Sequence, residues 1–223
     1  MNLNPDLVVY IRKSVPIPVY WNRRFINQNH RMKRKVILLS LLCSFTFSFL
    51  SAQQKFEKET RIKLAQVPLS AQQFIAAIPF SKKIKWYKEE GLTTSSYEAK
   101  TRYNQHKYSI EFDTLGQLED VEIKIKWAAV PKPIQTAIQQ HLLETFDRFK
   151  YSKVQEQLSG ETGVVLDYLL GKGKKESIIT QYEIVLKGKK EGQTRWFEYT
   201  FDAQGKLQQQ NTIIFRNTDN LEY

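Results

Sequence analysis

Cysteine is almost missing from this sequence, since Cys43 is the only one in 223 residues. It lies inside an apolar run, residues 36–50, that is followed by Ser51 and Ala52. A lipid-attachment site would place a small residue before the cysteine and end the run there, whereas Leu42 precedes Cys43 and the run continues. The chain after this run can therefore form no disulfide, no thiolate nucleophile and no thiolate metal site, and its stability must come from a packed core.

Catalytic motifs are missing as well: the sequence has no Gly-x-Ser-x-Gly, no Ser/His/Asp order and no glycine-rich phosphate loop. His141 and Glu144 are three residues apart in a predicted helix, but a metal site needs three or four ligands, so this spacing favours a surface pair. Asp113 and Asp202 share one turn context, which favours turn formers over paired catalytic acids. We therefore expect no enzyme activity, no cofactor and no metal site.

Positive charge is present but unevenly distributed. The formal net charge is +11, which alone would indicate an anionic partner such as nucleic acid or a membrane surface. Residues 1–52 hold eight of the basic residues and one acid, so residues 53–223 carry only +4. The distribution argues against a nucleic-acid partner.

The N-terminal basic residues belong to a predicted secretory leader. From Met32 the chain reads Met-Lys-Arg-Lys, then the apolar run, then Ser51 and Ala52, which are the three parts of a signal peptide. The run is shorter than the ~20 apolar residues of a membrane-spanning helix, so it predicts a leader over residues 32–52 that is cleaved after Ala52, with no stable membrane span afterwards. The predicted location is periplasmic or extracellular. Residues 1–31 are interpreted as a non-native or unstructured extension upstream of the true start, or else as an unusually long basic region.

Two segments of the remaining chain occur twice, in the same order. Residues 63–75 match residues 126–138 around a Val-Pro pair, and Phe-Asp-x-x-Gly-x-Leu occurs at 112–118 and at 201–207. The first segment predicts a helix with proline in its first turn, and the second predicts a hairpin whose glycine takes a positive φ. Strands are predicted at 97–103 and 107–112, where apolar residues on one face alternate with mostly charged residues on the other, and a further strand is predicted at 164–170.

These patterns predict an α+β fold: a tandem repeat of helix plus antiparallel β-sheet modules, with the helices packed on one face of the sheet and the other face in solvent. The polar segment 53–62 is predicted to be a linker. Repeat 1 is assigned to residues 63–126 and repeat 2 to 127–223, with an insertion in repeat 2 around residues 160–175.

Residues 63–215 resemble the PepSY-like family of secreted bacterial proteins, whose fold is described as similar to that of β-lactamase-inhibitor proteins. The resemblance implies tandem helix-plus-sheet modules in an exported protein with a binding or inhibitory role; it does not imply inhibition of a β-lactamase. The insertion in repeat 2 departs from the family pattern. The motifs that carry the resemblance are the repeated Val-Pro helix start, the Trp strand at 84–87, Tyr97-Glu98 with Tyr182-Glu183, and the repeated hairpin.

Two functions from different classes remain open. The first is non-catalytic binding of a protein, peptide or envelope component through the open sheet face, where Tyr87 and Trp196 stand among charged residues. They are either anchors for a partner or covered by another part of the chain. The second is a small-ligand carrier or hydrolase with a pocket between helix and sheet. The candidate surface for the first function consists of Lys83, Lys85, Tyr87, Lys100, Arg102, Trp196 and Glu198.

Overall fold

A computed structural model describes residues 9–11, 53–80, 82–91 and 94–215, with side chains from residue 58 to residue 214 of these ranges. The predicted signal peptide, residues 32–52, lies outside the described residues. So does the predicted extension 1–31, apart from Val9–Ile11, which forms a short strand.

The described residues form ten strands and three α-helices. The helices are α1 (Leu69–Ala77), α2 (Lys132–Thr145) and α3 (Thr162–Leu169). The strands are β1 (Val9–Ile11), β2 (Gln53–Ile62), β3 (Lys85–Glu90), β4 (Ser95–Tyr103), β5 (His106–Phe112), β6 (Leu118–Lys124), β7 (Arg148–Ser159), β8 (Ile179–Lys190), β9 (Gln193–Asp202) and β10 (Leu207–Phe215).

Strands β2 to β10 form one continuous sheet that closes on itself. Each of β3 to β10 pairs antiparallel with the strand before it in the chain. Residues 53–57 of β2 pair in parallel with β10, and residues 58–62 pair antiparallel with β3, so β2 joins the two ends of the sheet. β1 pairs antiparallel with residues 148–150, at the start of β7.

This closed sheet corrects two predictions. The prediction of a tandem of helix-plus-sheet modules is wrong, because one sheet runs without interruption through strands β2 to β10, and the described residues add only three short α-helices to it. The predicted boundary at 126/127 falls between β6 and β7, which pair with each other. The predicted linker 53–62 is strand β2, whose backbone groups are hydrogen-bonded to the next strand, β3, and to β10.

Two hydrophobic clusters pack between the helices and one face of the sheet. Under α1, Phe74 meets Phe112 edge to face with ring centroids 5.7 Å apart. Under α2, Phe146 lies 4.9 Å from Phe197 and 6.2 Å from Phe149, measured between ring centroids. The opposite face of the sheet, called the charged face below, carries Glu98, Lys100, Glu111, Asp120, Glu122, Glu183 and Glu198.

The repeated hairpin motif forms the turns that its sequence predicts. The Oδ1 atom of Asp113 accepts hydrogen bonds at 2.8 Å from the backbone amides two and four residues later. Asp202 makes the same two bonds at 2.9 Å. Gly116 and Gly205 take φ values of 78° and 80°. The interpretation of both aspartates as turn formers is confirmed.

The strand predicted at 164–170 is instead helix α3. The side chain of Glu161 caps its N-terminus by accepting a hydrogen bond from the backbone N–H of Gly163 at 3.2 Å. Val165 is buried against the same cluster as α1, with Leu166 and Tyr168 partly buried beside it. A short apolar run cannot distinguish a buried strand from a buried helix by its period.

Candidate functional site

The charged face of the sheet is turned inward. Because the sheet closes on itself and α1 and α2 pack on its other face, the charged face lines the interior. Glu98, Glu122 and Glu183 expose 3%, 5% and 4% of their surface. The prediction of an open, solvated sheet face is therefore wrong, because closure of the sheet buries a face that a single open layer would leave in water.

The structure separates the seven predicted surface residues into several places. Lys100 and Tyr87 meet in the interior, with the Lys100 ammonium 5.0 Å from the centre of the Tyr87 ring. Glu198 is buried and accepts a hydrogen bond from Asn211 at 3.1 Å. Lys83 and Arg102 are exposed, Lys85 and Trp196 are half-buried, and the Lys187 ammonium lies 6.0 Å from the Trp196 ring. Whether any of the seven contacts a partner stays a prediction.

Lys100 is the centre of an interior ion network. Its ammonium contacts the Glu59 carboxylate and lies 3.0 Å from Oε2 of Glu98, and the Ser109 hydroxyl donates to the other Glu98 oxygen. Burial raises the pKa of Glu98, but Lys100 and Ser109 more than offset it, so this pKa is lowered. Burial lowers the pKa of Lys100, but the carboxylates of Glu98 and Glu59 raise it above its ordinary value.

A second cluster of acidic side chains lies on the inward-facing side of strands β5 and β6. Carboxylate oxygens of Glu111, Asp120 and Glu122 lie within 4.8 Å of one another. The pKa of Glu111 is raised well above its ordinary value by burial, and further by Glu122 and Asp120. The pKa of Glu122 is likewise raised by burial and by Glu183, with Lys153 opposing.

The alternation of charged residues along β5 and β6 was visible in the sequence, and so was the hairpin that pairs them. The pairing places Glu111 directly opposite Asp120, and like charges directly opposite each other destabilise an exposed sheet. The opposed charges of Glu111 and Asp120 therefore indicate that this face of the sheet does not lie in open solvent, which the prediction of a solvated face overlooked.

Glu111→Gln is expected to stabilise the protein at pH 8 in metal-free buffer by about 1 kcal/mol, the low end of the cost of a polar group left without compensation, because Glu111 is half-buried. Because the folded-state pKa of Glu111 is raised, the folded protein keeps this proton in a pH range where the unfolded chain has lost it. The Glu111 contribution to stability is therefore fully present below pH 4.5 and is lost as the pH rises through the folded-state pKa. Urea unfolding between pH 4 and pH 8 should show the variant and wild type converging at low pH.

Comparing the variant with wild type at each pH cancels titrations that do not depend on Glu111, including that of His141, whose pKa is lowered by burial. The half-buried His141 ring packs against both Tyr199 and Phe201, with ring centroids 5.9 and 5.6 Å away. Glu176→Gln, at an exposed position between α3 and β8, is the matched control and should change stability equally at all pH values. A Glu111→Gln effect that is also independent of pH would contradict the argument.

An apolar groove of about 630 Å³ lies on the outer surface between α1 and strands β2 and β3. Leu64 and Leu69 are 54% and 67% exposed there, which is unusual for large apolar side chains at neighbouring positions. The sequence predicted Lys83 and Lys85 as site residues but missed these leucines. The groove is lined by Arg61, Ile62, Leu64, Leu69, Gln72, Gln73, Ile75, Ala76, Lys83, Ile84, Lys85 and Trp86.

The start of α1 is fixed beside this groove by Gln72. Its side-chain amide donates to the backbone carbonyls of Leu64 and Val67 at 3.1 and 2.9 Å. The segment that carries Leu64 is thus tied to α1 by hydrogen bonds within the chain. Within the described ranges, no helix is both long and apolar enough to cross a membrane.

Comparison with known proteins identifies no family for this chain. No family model matches the chain, and no curated protein matches it. A solved structure of a Bacteroides eggerthii DSM 20697 protein described as periplasmic aligns with a TM-score of 0.42 and 12% identity, over 66% of this chain and 88% of that one. The resemblance to the PepSY-like family stays a prediction.

Proposed function

We propose that the protein is an exported binding protein whose groove between α1 and strands β2 and β3, called the α1 groove below, takes an amphipathic ligand with an apolar chain and an anionic group. The observation that carries the proposal is an apolar groove floor with Arg61, Lys83 and Lys85 on its lining. Of the predicted partner classes, protein, peptide or envelope component, this chemistry fits an envelope component.

The volume of the α1 groove and the exposure of its leucines indicate the apolar part of the ligand. The groove volume of about 630 Å³ lies within the range of ~300–1,000 Å³ that small-molecule sites occupy. Burying a leucine side chain fully is worth about 1.5–3 kcal/mol, and Leu64 and Leu69 still expose more than half of theirs. An acyl chain along the groove would remove that apolar surface from water.

The positive charge of the groove lining indicates the anionic part of the ligand. Arg61 and Lys83 are exposed cations at the groove, and the lining as a whole contains three basic residues and no acid. An anion at this position gains about 1 kcal/mol for each cation at 4 Å even in water. The groove should therefore distinguish an anionic amphiphile from a cationic one with the same chain.

The groove lining contains no carboxylate, histidine, serine or cysteine, so we propose binding and not hydrolysis. Export is supported by the signal peptide predicted at residues 32–52 and is implied by the PepSY-like resemblance. Binding, with inhibition as one form of it, is the role that the same resemblance implies.

The test compares dodecanoate with dodecyltrimethylammonium, below their critical micelle concentrations, by titration calorimetry on the full chain. Trp86 lines the groove, so its fluorescence supplies a second readout. We expect dodecanoate to bind more tightly than the cation. Leu69→Glu should weaken dodecanoate at least about tenfold, because it removes an apolar contact and adds a negative charge.

Leu115→Glu is the matched control, because Leu115 is a 74% exposed leucine in the hairpin between β5 and β6 and does not line the groove. It should bind dodecanoate as the wild type does. Equal weakening by both variants, or equal affinity for the two amphiphiles, would reject the α1 groove as the site.

A further inference from the structure

The acidic group on β5 and β6 is built on a rigid frame. Glu111 and Asp120 are directly paired across the two strands, and Glu122 follows two residues after Asp120 on the same face. Backbone hydrogen bonds of the sheet therefore keep the three carboxylates together. The Gln157 side chain donates to Oδ2 of Asp120 at 2.8 Å and fixes that carboxylate further.

A second, independent observation comes from Gln155 on β7, which exposes only 4% of its surface. Its Nε2 donates to Oε2 of Glu122, so the planar amide lies against the acidic group. Its Oε1 is buried and has no hydrogen-bond partner among the described residues. Leaving a buried amide oxygen unsatisfied costs about 1–3 kcal/mol, and an amide oxygen is a ligand for hard cations.

Basic residues nearby are occupied by other carboxylates. The positive charge of Lys153 is close enough to Glu122 to oppose the rise of its pKa, but the Lys153 ammonium forms a 3.2 Å ion pair with Glu183. Lys100 is held by Glu59 and Glu98. The interior thus supplies carboxylate oxygens in excess of the ammonium groups beside them.

We propose that Glu111, Asp120, Glu122 and the Oε1 atom of Gln155 form a binding site for a hard divalent cation of the calcium or magnesium class. Three carboxylates and one amide oxygen are the ligand types these ions take, and water would complete the coordination. The cation would tie β5, β6 and β7 together and satisfy the buried amide oxygen. This site is separate from the α1 groove and does not depend on the proposed function.

Calorimetric titration of the chelator-treated full chain with calcium chloride is the direct test, with magnesium and manganese chloride as further arms. We expect about one equivalent to bind. At a free concentration ~100-fold above the dissociation constant, the melting temperature should rise by about 5–11 °C.

Two variants assign the site. Glu111→Gln removes one ligand charge and Gln155→Leu removes the amide oxygen at similar volume; each should weaken cation binding at least about tenfold. Glu119→Gln, an exposed neighbour on β6, should bind as the wild type does. Circular dichroism checks that each variant is folded.

The wild-type titration decides the matter even if a variant does not fold: absence of heat and of a melting shift with all three cations overturns the site. Undiminished binding by folded Glu111→Gln and Gln155→Leu overturns it as well. Dodecanoate binding by wild type should be unchanged by cation removal, so failure of either proposal leaves the other intact.

Discussion

Gly205→Ala is expected to lower the free energy of unfolding by about 3 kcal/mol, which should appear as a shifted midpoint in urea unfolding. Gly205 has a φ of 80°, where an alanine costs about 1 kcal/mol. A Cβ there would also lie 2.7 Å from Cβ of Ala137 and 3.2 Å from the backbone oxygen of Ile134. Helix α2 would have to move, and overpacking of this kind costs about 1–3 kcal/mol more.

Gly192→Ala separates the two terms. Gly192 has nearly the same φ, 76°, and lies in the hairpin between β8 and β9, but no atom lies within 4 Å of an added Cβ. Its loss should be about 1 kcal/mol, the conformational term alone. If the two variants lose equal stability, close packing of the hairpin against α2 is not what selects glycine at position 205.

Gly205 also shows which parts of the fold were predictable from the sequence. The hairpin motif fixes its own structure through local bonds, from an aspartate side chain to amides two and four residues later, and so it was correctly identified. Strands β4 and β5 were predicted as 97–103 and 107–112 and were found at Ser95–Tyr103 and His106–Phe112, because alternation is a local signal.

The closure of the sheet could not be predicted in the same way. β2 is polar and carries no apolar alternation that would distinguish it from a tether, and its strand structure depends on pairing with β3 and with β10, which is far away in the chain. Residues 164–170 were assigned to a strand because the run is too short to show a helical period. In both segments the deciding contacts are tertiary.

The charged face depends on closure as well. Alternation places Tyr87, Lys100 and Glu198 on the face opposite the helices whether that face meets water or the interior of a ring. A sequence pattern cannot separate these outcomes, so the residues were assigned to a binding surface. For Lys100, the interior position implies a contribution to the free energy of unfolding, which a substitution can measure.

Lys100→Met is expected to lower the free energy of unfolding by about 2–3 kcal/mol. The substitution keeps the aliphatic stem but leaves the Glu98 carboxylate, whose side chain is 4% exposed, without its cation. Breaking a buried ion pair costs about 3–5 kcal/mol, and the expected value is lower because the Lys100 side chain is 39% exposed and solvent screens part of the interaction.

Lys88→Met is the matched control on the neighbouring strand. Lys88 pairs with Glu90 at 3.5 Å, both side chains are about 40% exposed, and an exposed pair contributes roughly 0–1 kcal/mol. Adding Glu98→Gln to Lys100→Met should recover most of the loss, because the buried charge disappears with its partner. A Lys100→Met protein as stable as Lys88→Met would instead mean that Glu98 does not need Lys100 in the fold.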